Sequence, residues 1–244
     1  MLIGVFSDIH ANLPALQVIL DFLKQKKVHF TLCCGDIVGY GPYPNECIEL
    51  LSELGNFYCT AGNHDRAVLG KEDLRNFNYF AREAILWTRT IISGDSLHFL
   101  EKLQDKETGR DFVMVHASLR NPVSEYITTP QIYRESLKLQ DKFILFNGHT
   151  HYPLCFEAKD HSIEMGEFVS GRKLELNKEA RYMLNVGSVG QPRDSNPDAC
   201  CLVFDTLEQS VILYRLEYPV KTVQDAMRRH GLPELLIERI SRGL

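Results

Sequence analysis

Five short apolar runs in the first 151 residues each lead into polar residues: Leu2–Ser7, Phe30–Cys34, Phe57–Thr60, Phe112–Val115 and Phe143–Asn147. Runs this short, rich in Val, Ile, Phe and Tyr and closed by Gly, Asn or Asp, read as buried β-strands. Between them the period lengthens. Leu13–Lys27 carries apolar residues at 13, 16, 19, 20 and 23, a helical stripe with Pro14 in its first turn, where proline is tolerated. Pro44–Leu54 places Ile48, Leu51 and Leu54 on one side, with Gly55 just past its end, and Lys71–Ile92 reads as one long helix rich in aromatics. Strand–helix alternation of this kind predicts right-handed βαβ units.

After His151 the pattern changes. Pro153–Ala158, Ser162–Met165, Tyr182–Val186, Ala199–Phe204 and Val211–Arg215 are strand-like runs with few helices between them. They predict a second, mixed or antiparallel sheet made by this half of the chain. Val220–His230, stopped by Gly231, and Pro233–Ile240 close the sequence as helices. No repeat, low-complexity tract or linker interrupts it. The expectation is one α/β domain over 1–244, with a βαβ part at 1–151 and a mostly β part plus C-terminal helices at 152–244.

Composition narrows the function classes. A chain of 244 residues that is 44% hydrophobic and 24% charged suits one large globular domain. A net charge of −5 without a Lys/Arg block argues against a generic duplex or membrane surface, so long nucleic acid and membrane are not expected partners. No stretch approaches the ~18 apolar residues of a membrane span. The N-terminus leads straight from Leu2 to Asp8 and His10, with no signal-like segment. Seven cysteines, odd in number and without a Cys-x-x-Cys, suggest structural thiols in a reducing cytoplasm. The adjacent pairs Cys33-Cys34 and Cys200-Cys201 lie in strand-like runs, where neighbours point to opposite faces.

Each of the five early strands ends in metal-type side chains: Asp8-Ile9-His10, Gly35-Asp36, Gly62-Asn63-His64-Asp65, His116, and Gly148-His149-Thr150-His151. Loops at the carboxyl ends of strands in an α/β sheet share one crevice, so residues distant in sequence are expected to meet at one sheet's carboxyl edge. Asp, Asn and neutral His together suit Mn, Fe, Co, Ni or Zn. Two such ions ~3.5–4 Å apart clamp both oxygens of an in-line displacement and lower a bound water's pKa towards ~7. Glycine-flanked Asp36 is the natural bridge between them. A caps-and-turns reading fits each Asp or Asn singly, but not the ordered set.

That ordered set resembles the calcineurin-like metallophosphoesterases: Asp-x-His, Gly-Asp, Gly-Asn-His-Asp, a lone His, then Gly-His-x-His, with Asn185-Val186-Gly187-Ser188 as a late element. The extended runs Asp36–Pro42 and Asn185–Asp194 look like a small bacterial and archaeal branch. The resemblance implies a four-layer α-β-β-α sandwich with two central mixed sheets. It implies two divalent transition-metal ions, with Mn favoured for activity. One would be held by Asp8, His10, Asp36 and His151, the other by Asp36, Asn63, His116 and His149. It implies hydrolysis of phosphate mono- or diesters by metal-activated hydroxide, with His64 as general acid or oxyanion stabiliser. Asp65 would orient His64 or cap a turn.

Further candidates for substrate contact are Asn12, Arg120, Tyr126 and Arg193. Each has a plainer role open to it: a helix cap for Asn12, loop packing for Arg120 and Tyr126, a surface ion pair for Arg193. Phe77, Tyr79, Phe80 and Trp87 could stack a nucleobase, or simply bury a helix against the sheet. His29, His98, His161 and His230 fit no cluster. The expected substrate is a small phosphate ester or nucleotide, with a dinucleoside polyphosphate or a phosphoprotein as alternatives within the same chemistry. A non-catalytic metal-binding scaffold for a protein partner is the alternative outside it. Substrate choice is expected to lie in the loops Ala117–Leu139 and Gln191–Pro197.

Overall fold

Alternation along β1 (Leu2–Phe6) sets the layering. Ile3 and Val5 face a core between two sheets, whereas Phe6 faces the helices outside. Gly4 lies under α1 (Leu13–Gln25), where an added Cβ would meet the Leu23 side chain at 2.7 Å. The computed structural model describes residues 1–244, the side chain of Glu167 excepted.

The first sheet extends β1 with parallel β2 (Phe30–Cys33) and β3 (Phe57–Cys59) on one side. β11 (Ala199–Asp205), β12 (Ser210–Leu216) and β9 (Lys173–Glu175) follow antiparallel on the other. The second sheet runs β4 (Lys106–Thr108), β5 (Phe112–Val115), β6 (Ile144–Asn147), β10 (Arg181–Asn185), β7 (Leu154–Lys159) and β8 (Ser162–Glu167). Here β5, β6 and β10 are parallel. Both sheets are therefore mixed and six-stranded, and Val5, Leu32, Phe146, Leu184, Leu202 and Phe204 pack between them. Helices α1, α2 (Pro44–Ser52), α4 (Tyr79–Ile91) and α7 (Val220–Arg229) cover the first sheet. α6 (Pro130–Leu137) covers the second through Tyr133 and Ile132. The four-layer α-β-β-α sandwich expected from the sequence is the fold observed.

Three expectations need correcting. The second sheet does not belong to the second half of the chain. β11, β12 and β9 complete the first sheet, while β5 and β6 begin the second, because β1 presents one edge to β2 and needs a partner for the other. In consequence the ligand-bearing loops leave two sheets, not one: those after β1, β2 and β3 from the first, those after β5 and β6 from the second. Finally, Lys71–Ile92 is not one helix. A 3-10 turn at Leu74–Asn76 precedes α4, and the chain is extended at Phe77 and Asn78. Asn78 Oδ1 accepts from Ala81 N–H at 2.9 Å and starts α4 as its N-cap.

The structure adds helices α3 (Asn63–Val68), α5 (Gly94–Lys102) and α8 (Glu234–Arg239) to those already named. α8 corresponds to the expected Pro233–Ile240; α3, α5 and α6 had no clear stripe. All seven cysteines are free and buried. Cys33 and Cys201 point to the helix side, and Cys34 and Cys200 to the space between the sheets. Among the described residues, no helix is long and apolar enough to cross a membrane.

Candidate metal centre

At the strand ends the chain turns abruptly. Asp8, His10, Asp36, His149 and His151 all have positive φ, between 48° and 67°, as do Ala11 and Tyr40. Outside glycine this left-handed conformation is uncommon, with Asp, Asn and His enriched, and each instance costs on the order of 1–3 kcal/mol. The turns aim successive polar side chains into the seam between the sheets. Glycine permits the approach: a Cβ at Gly62 would fall 2.0 Å from Asp36 Oδ1, and one at Gly148 2.3 Å from Asp8 Oδ2.

The seven candidate ligands meet in two adjoining clusters, nearly all fully buried. In the first, His10 Nε2 and His151 Nε2 lie 3.0 Å apart, and Asp8 Oδ1 stands 3.3 Å from His151 Nε2. In the second, His116 Nε2 lies 3.1 Å from both His149 Nδ1 and Asn63 Oδ1. Asp36 Oδ2 sits between them, 3.7 Å from His10 Nε2 and 3.4 Å from His116 Nε2.

Backbone carbonyls set the tautomers. The far ring nitrogen of each histidine faces a main-chain oxygen: His10 Nδ1 and Val38, His116 Nδ1 and Cys34, His151 Nδ1 and Gln191, His149 Nε2 and Ser124, at 2.5–3.1 Å. A carbonyl only accepts, so these nitrogens carry the protons and the opposite lone pairs point inward. Nitrogen lone pairs facing one another, beside an Asp8 Oδ1 that lacks any hydrogen-bond partner, form a donor set made for cations. Burial pushes His149 down to about 3 and lowers His10 and His151, which keeps those rings neutral and able to coordinate. Burial opposes charge on Asp8 and Asp36 too, but their histidine neighbours outweigh it and hold both carboxylates ionised. At His116 burial is likewise overcome, chiefly by Asp36, and the ring is lifted to about 10; its inward Nε2 therefore holds a proton that a bound cation would displace.

His64 is held differently. It is buried at the start of α3, and its main-chain N–H donates to Asp36 Oδ1 at 2.8 Å. Its ring is packed by His10 at 4.8 Å, Tyr40 at 4.4 Å and Phe77 at 5.2 Å between centroids, and its Nδ1 has no hydrogen-bond partner. Gly39, at φ +86°, faces that nitrogen; a Cβ there would come within 2.3 Å. Burial pushes His64 down to about 4.

The Asp65 carboxylate makes no hydrogen bond to the His64 ring. Its Oδ2 accepts from Asp36 and Gly62 N–H, both at 2.9 Å, and its Oδ1 from Ile37 and Val38 N–H at 2.9 and 3.2 Å. Burial raises it to about 7 against these bonds. Of its two expected roles, turn-capping is the one seen, extended to clasping the Asp36 loop onto the start of α3.

The sequence model of the calcineurin-like phosphoesterase family matches residues 1–153. The chain belongs to this family. An uncharacterized protein of Methanocaldococcus jannaschii is 37% identical over 247 residues, covering 99% of this chain and 98% of that one. A metallophosphoesterase from Sphaerobacter thermophilus superposes with a TM-score of 0.88 at 37% identity, over 100% of this chain and 99% of that one. A hypothetical protein of Pyrococcus horikoshii OT3 shares the fold at a TM-score of 0.82 and 19% identity, over 100% and 98%.

In this member of the family the late run Asn185–Gln191 holds the centre together. Asn185 Nδ2 donates to the Gly148 carbonyl at 2.5 Å, Ser188 Oγ to the Asp8 carbonyl at 2.8 Å, and Gly190 N–H to the same oxygen at 2.9 Å. Four candidate substrate contacts separate into two pairs. Tyr126 stacks on His149 at 3.9 Å, and Arg193 donates to Tyr40 Oη at 3.3 Å and Gln191 Oε1 at 3.0 Å, so both stand at the crevice. Asn12 and Arg120 do not. Asn12 is buried, capping α1 through Ala15 N–H and donating to the Gly190 carbonyl at 3.0 Å. Arg120 forks onto Glu125. Tyr40 and Gln191 escaped the sequence reading. Both lie in the two runs that carry the resemblance, which is the signal that could have found them.

Proposed function

We propose that the chain is a two-metal hydrolase of small phosphate mono- or diesters. Asp8, His10, Asp36 and His151 would hold one ion, and Asp36, Asn63, His116 and His149 the other. Bound divalent ions supply Lewis acidity for phosphoryl oxygens and an acidified water. The residues fit them: inward lone pairs from His10, His149 and His151, an inward His116 nitrogen that would give up its proton to a cation, and a partnerless carboxylate oxygen on Asp8. The observation that carries the reading is the shared Asp36 with His64 beside it. A metal site for structure alone has no use for an additional partnerless imidazole at its rim.

His64 donates an N–H to a phosphoryl or leaving oxygen. Its depression to about 4 favours a neutral donor, which is the oxyanion-stabilising part of the expected role. Arg193, whose buried Nε has no partner, offers its planar fork to a phosphate oxygen across from His64. Seven buried free thiols suit a reducing, cytoplasmic setting.

The test is turnover of p-nitrophenyl phosphate and bis-p-nitrophenyl phosphate with added Mn. His64→Ala should lower kcat by about 10²–10³, the usual cost of one oxyanion donor. His64→Gln, which keeps an N–H but cannot ionise, should recover part of it. Equal turnover by His64→Ala would remove His64 from the mechanism. No turnover with any ester, together with full metal occupancy, would favour the scaffold reading.

A further inference from the structure

A cavity of about 330 Å³ opens beside the metal centre on the His64 side, within the usual ~300–1,000 Å³ of small-molecule sites. Phe77, edge-on to His64, and Tyr126, flat against His149, give it aromatic walls. The amide of Asn76 and the Nδ2 of Asn78 have no partner among the described residues; Asn78 Oδ1 is occupied by the α4 cap. Glu72 is half-buried, and no hydrogen bond or ion pair among the described residues engages its carboxylate. None of the lining residues is Lys or Arg.

Resting on the phosphoesterase reading, we propose that this cavity receives the leaving alcohol and is built for a nucleoside whose base carries N–H donors. With the phosphoryl group at the ions, the ester oxygen falls beside His64, and whatever it carries continues into the cavity. Flat bases stack on aromatic rings whatever their identity. An ionised carboxylate only accepts hydrogen bonds, so Glu72 selects a base edge rich in donors. Guanine offers a paired N1–H and amino group there, whereas uracil flanks one N–H with two carbonyls. A leaving group bearing a further phosphate would set an anion against Glu72, with no Lys or Arg in the cavity lining to meet it. In the reaction the bond from phosphorus to the ester oxygen breaks and one to the water oxygen forms. A proton originating from that water ends on the nucleoside hydroxyl, giving nucleoside and inorganic phosphate.

The experiment compares guanosine 5′-monophosphate, uridine 5′-monophosphate, guanosine 5′-diphosphate and glycerol 2-phosphate as substrates with Mn. The enzymes are the wild type, Glu72→Gln and Phe77→Ala. Guanosine monophosphate should exceed uridine monophosphate and glycerol 2-phosphate in kcat/KM by about tenfold or more, the worth of one hydrogen-bonded or stacked base. It should also exceed guanosine diphosphate, whose leaving group sets a phosphate against Glu72. Glu72→Gln should bring the guanosine-to-uridine ratio towards one. Phe77→Ala should lower the ratio of guanosine monophosphate to glycerol phosphate, with a thermal melt checking that it folds. Equal rates on glycerol phosphate and the nucleotides, or a base preference that survives Glu72→Gln, overturns the proposal while leaving the phosphoesterase standing. Failure to hydrolyse any ester overturns the phosphoesterase reading instead. Calorimetry with guanosine alone then decides the subsite: binding weakened by Glu72→Gln sustains it, and no binding overturns it.

Discussion

At the scale of single residues, the centre is a case of strain held in place by hydrogen bonds. Five of the seven candidate ligands sit at positive φ, and main-chain donors fix the loops that carry them. Asp65 concentrates that work by accepting four N–H groups from two loops. In Asp65→Asn only one oxygen can accept, and the amide nitrogen would face two donors. Losing buried, charge-assisted bonds of this kind costs roughly 1.5–3 kcal/mol each. Urea denaturation should show the loss, and metal analysis should show fewer than two ions per chain. A variant with unchanged stability and two ions would deny Asp65 this role. The ligand residues were legible because Asp-x-His and His-x-His carry their chemistry in their type. Asn12, Asp65 and Arg120 were not, since the same side chain can cap, pair or bind, and its partner lies far away in sequence.

Among elements, the buried strands were legible, whereas the exposed three-residue strands β4 and β9 and the helices α3, α5 and α6 were not. A buried strand declares itself by an apolar run, whereas α3, α5 and α6 carry no clear stripe; α2 and α8 are as short but were marked by Pro44 with Gly55 beyond the end, and by Pro233. The break before α4 was hidden for another reason: hydrophobic residues continue straight through Phe77–Phe80, and only Asn78 marks the start. Asn78→Ala should destabilise by about 1 kcal/mol, the ordinary value of an N-cap, read as a lower urea midpoint. The same change should loosen the extended pair that sets Phe77 against His64. No shift in midpoint would show that α4 starts without its cap.

For the molecule as a whole, the ions and the buried thiols should dominate its response to conditions. Ions that bind only the folded chain stabilise it by about 2.7 kcal/mol when present at a hundred times Kd. Chelation should therefore lower Tm by roughly 5–10 °C for a chain of this size, as scanning calorimetry with and without chelator would reveal. An unchanged Tm would argue against resident ions. Alkali acts through different groups. Burial raises Cys155 and Cys200 from an ordinary 9.0 to about 12. A raised value means the folded state holds its proton longer than the unfolded chain does. The stability this gives is complete below pH 9 and is lost as pH climbs towards 12. Urea midpoints measured from pH 8 to 11 should fall steadily above 9, and a flat profile would contradict the burial of these thiols.

The shared sheets also set an order in time. Every candidate ligand lies before residue 152, so all seven leave the ribosome early, while β10, β11 and β12 follow later. Until then β1 lacks its partner β11, and neither Ser188 nor Gly190 is present to hold the Asp8 carbonyl. Distant pairings of this kind form late and slowly. The nascent chain carries all its ligands before it has a pocket to arrange them, so a finished centre reports that synthesis has passed β11.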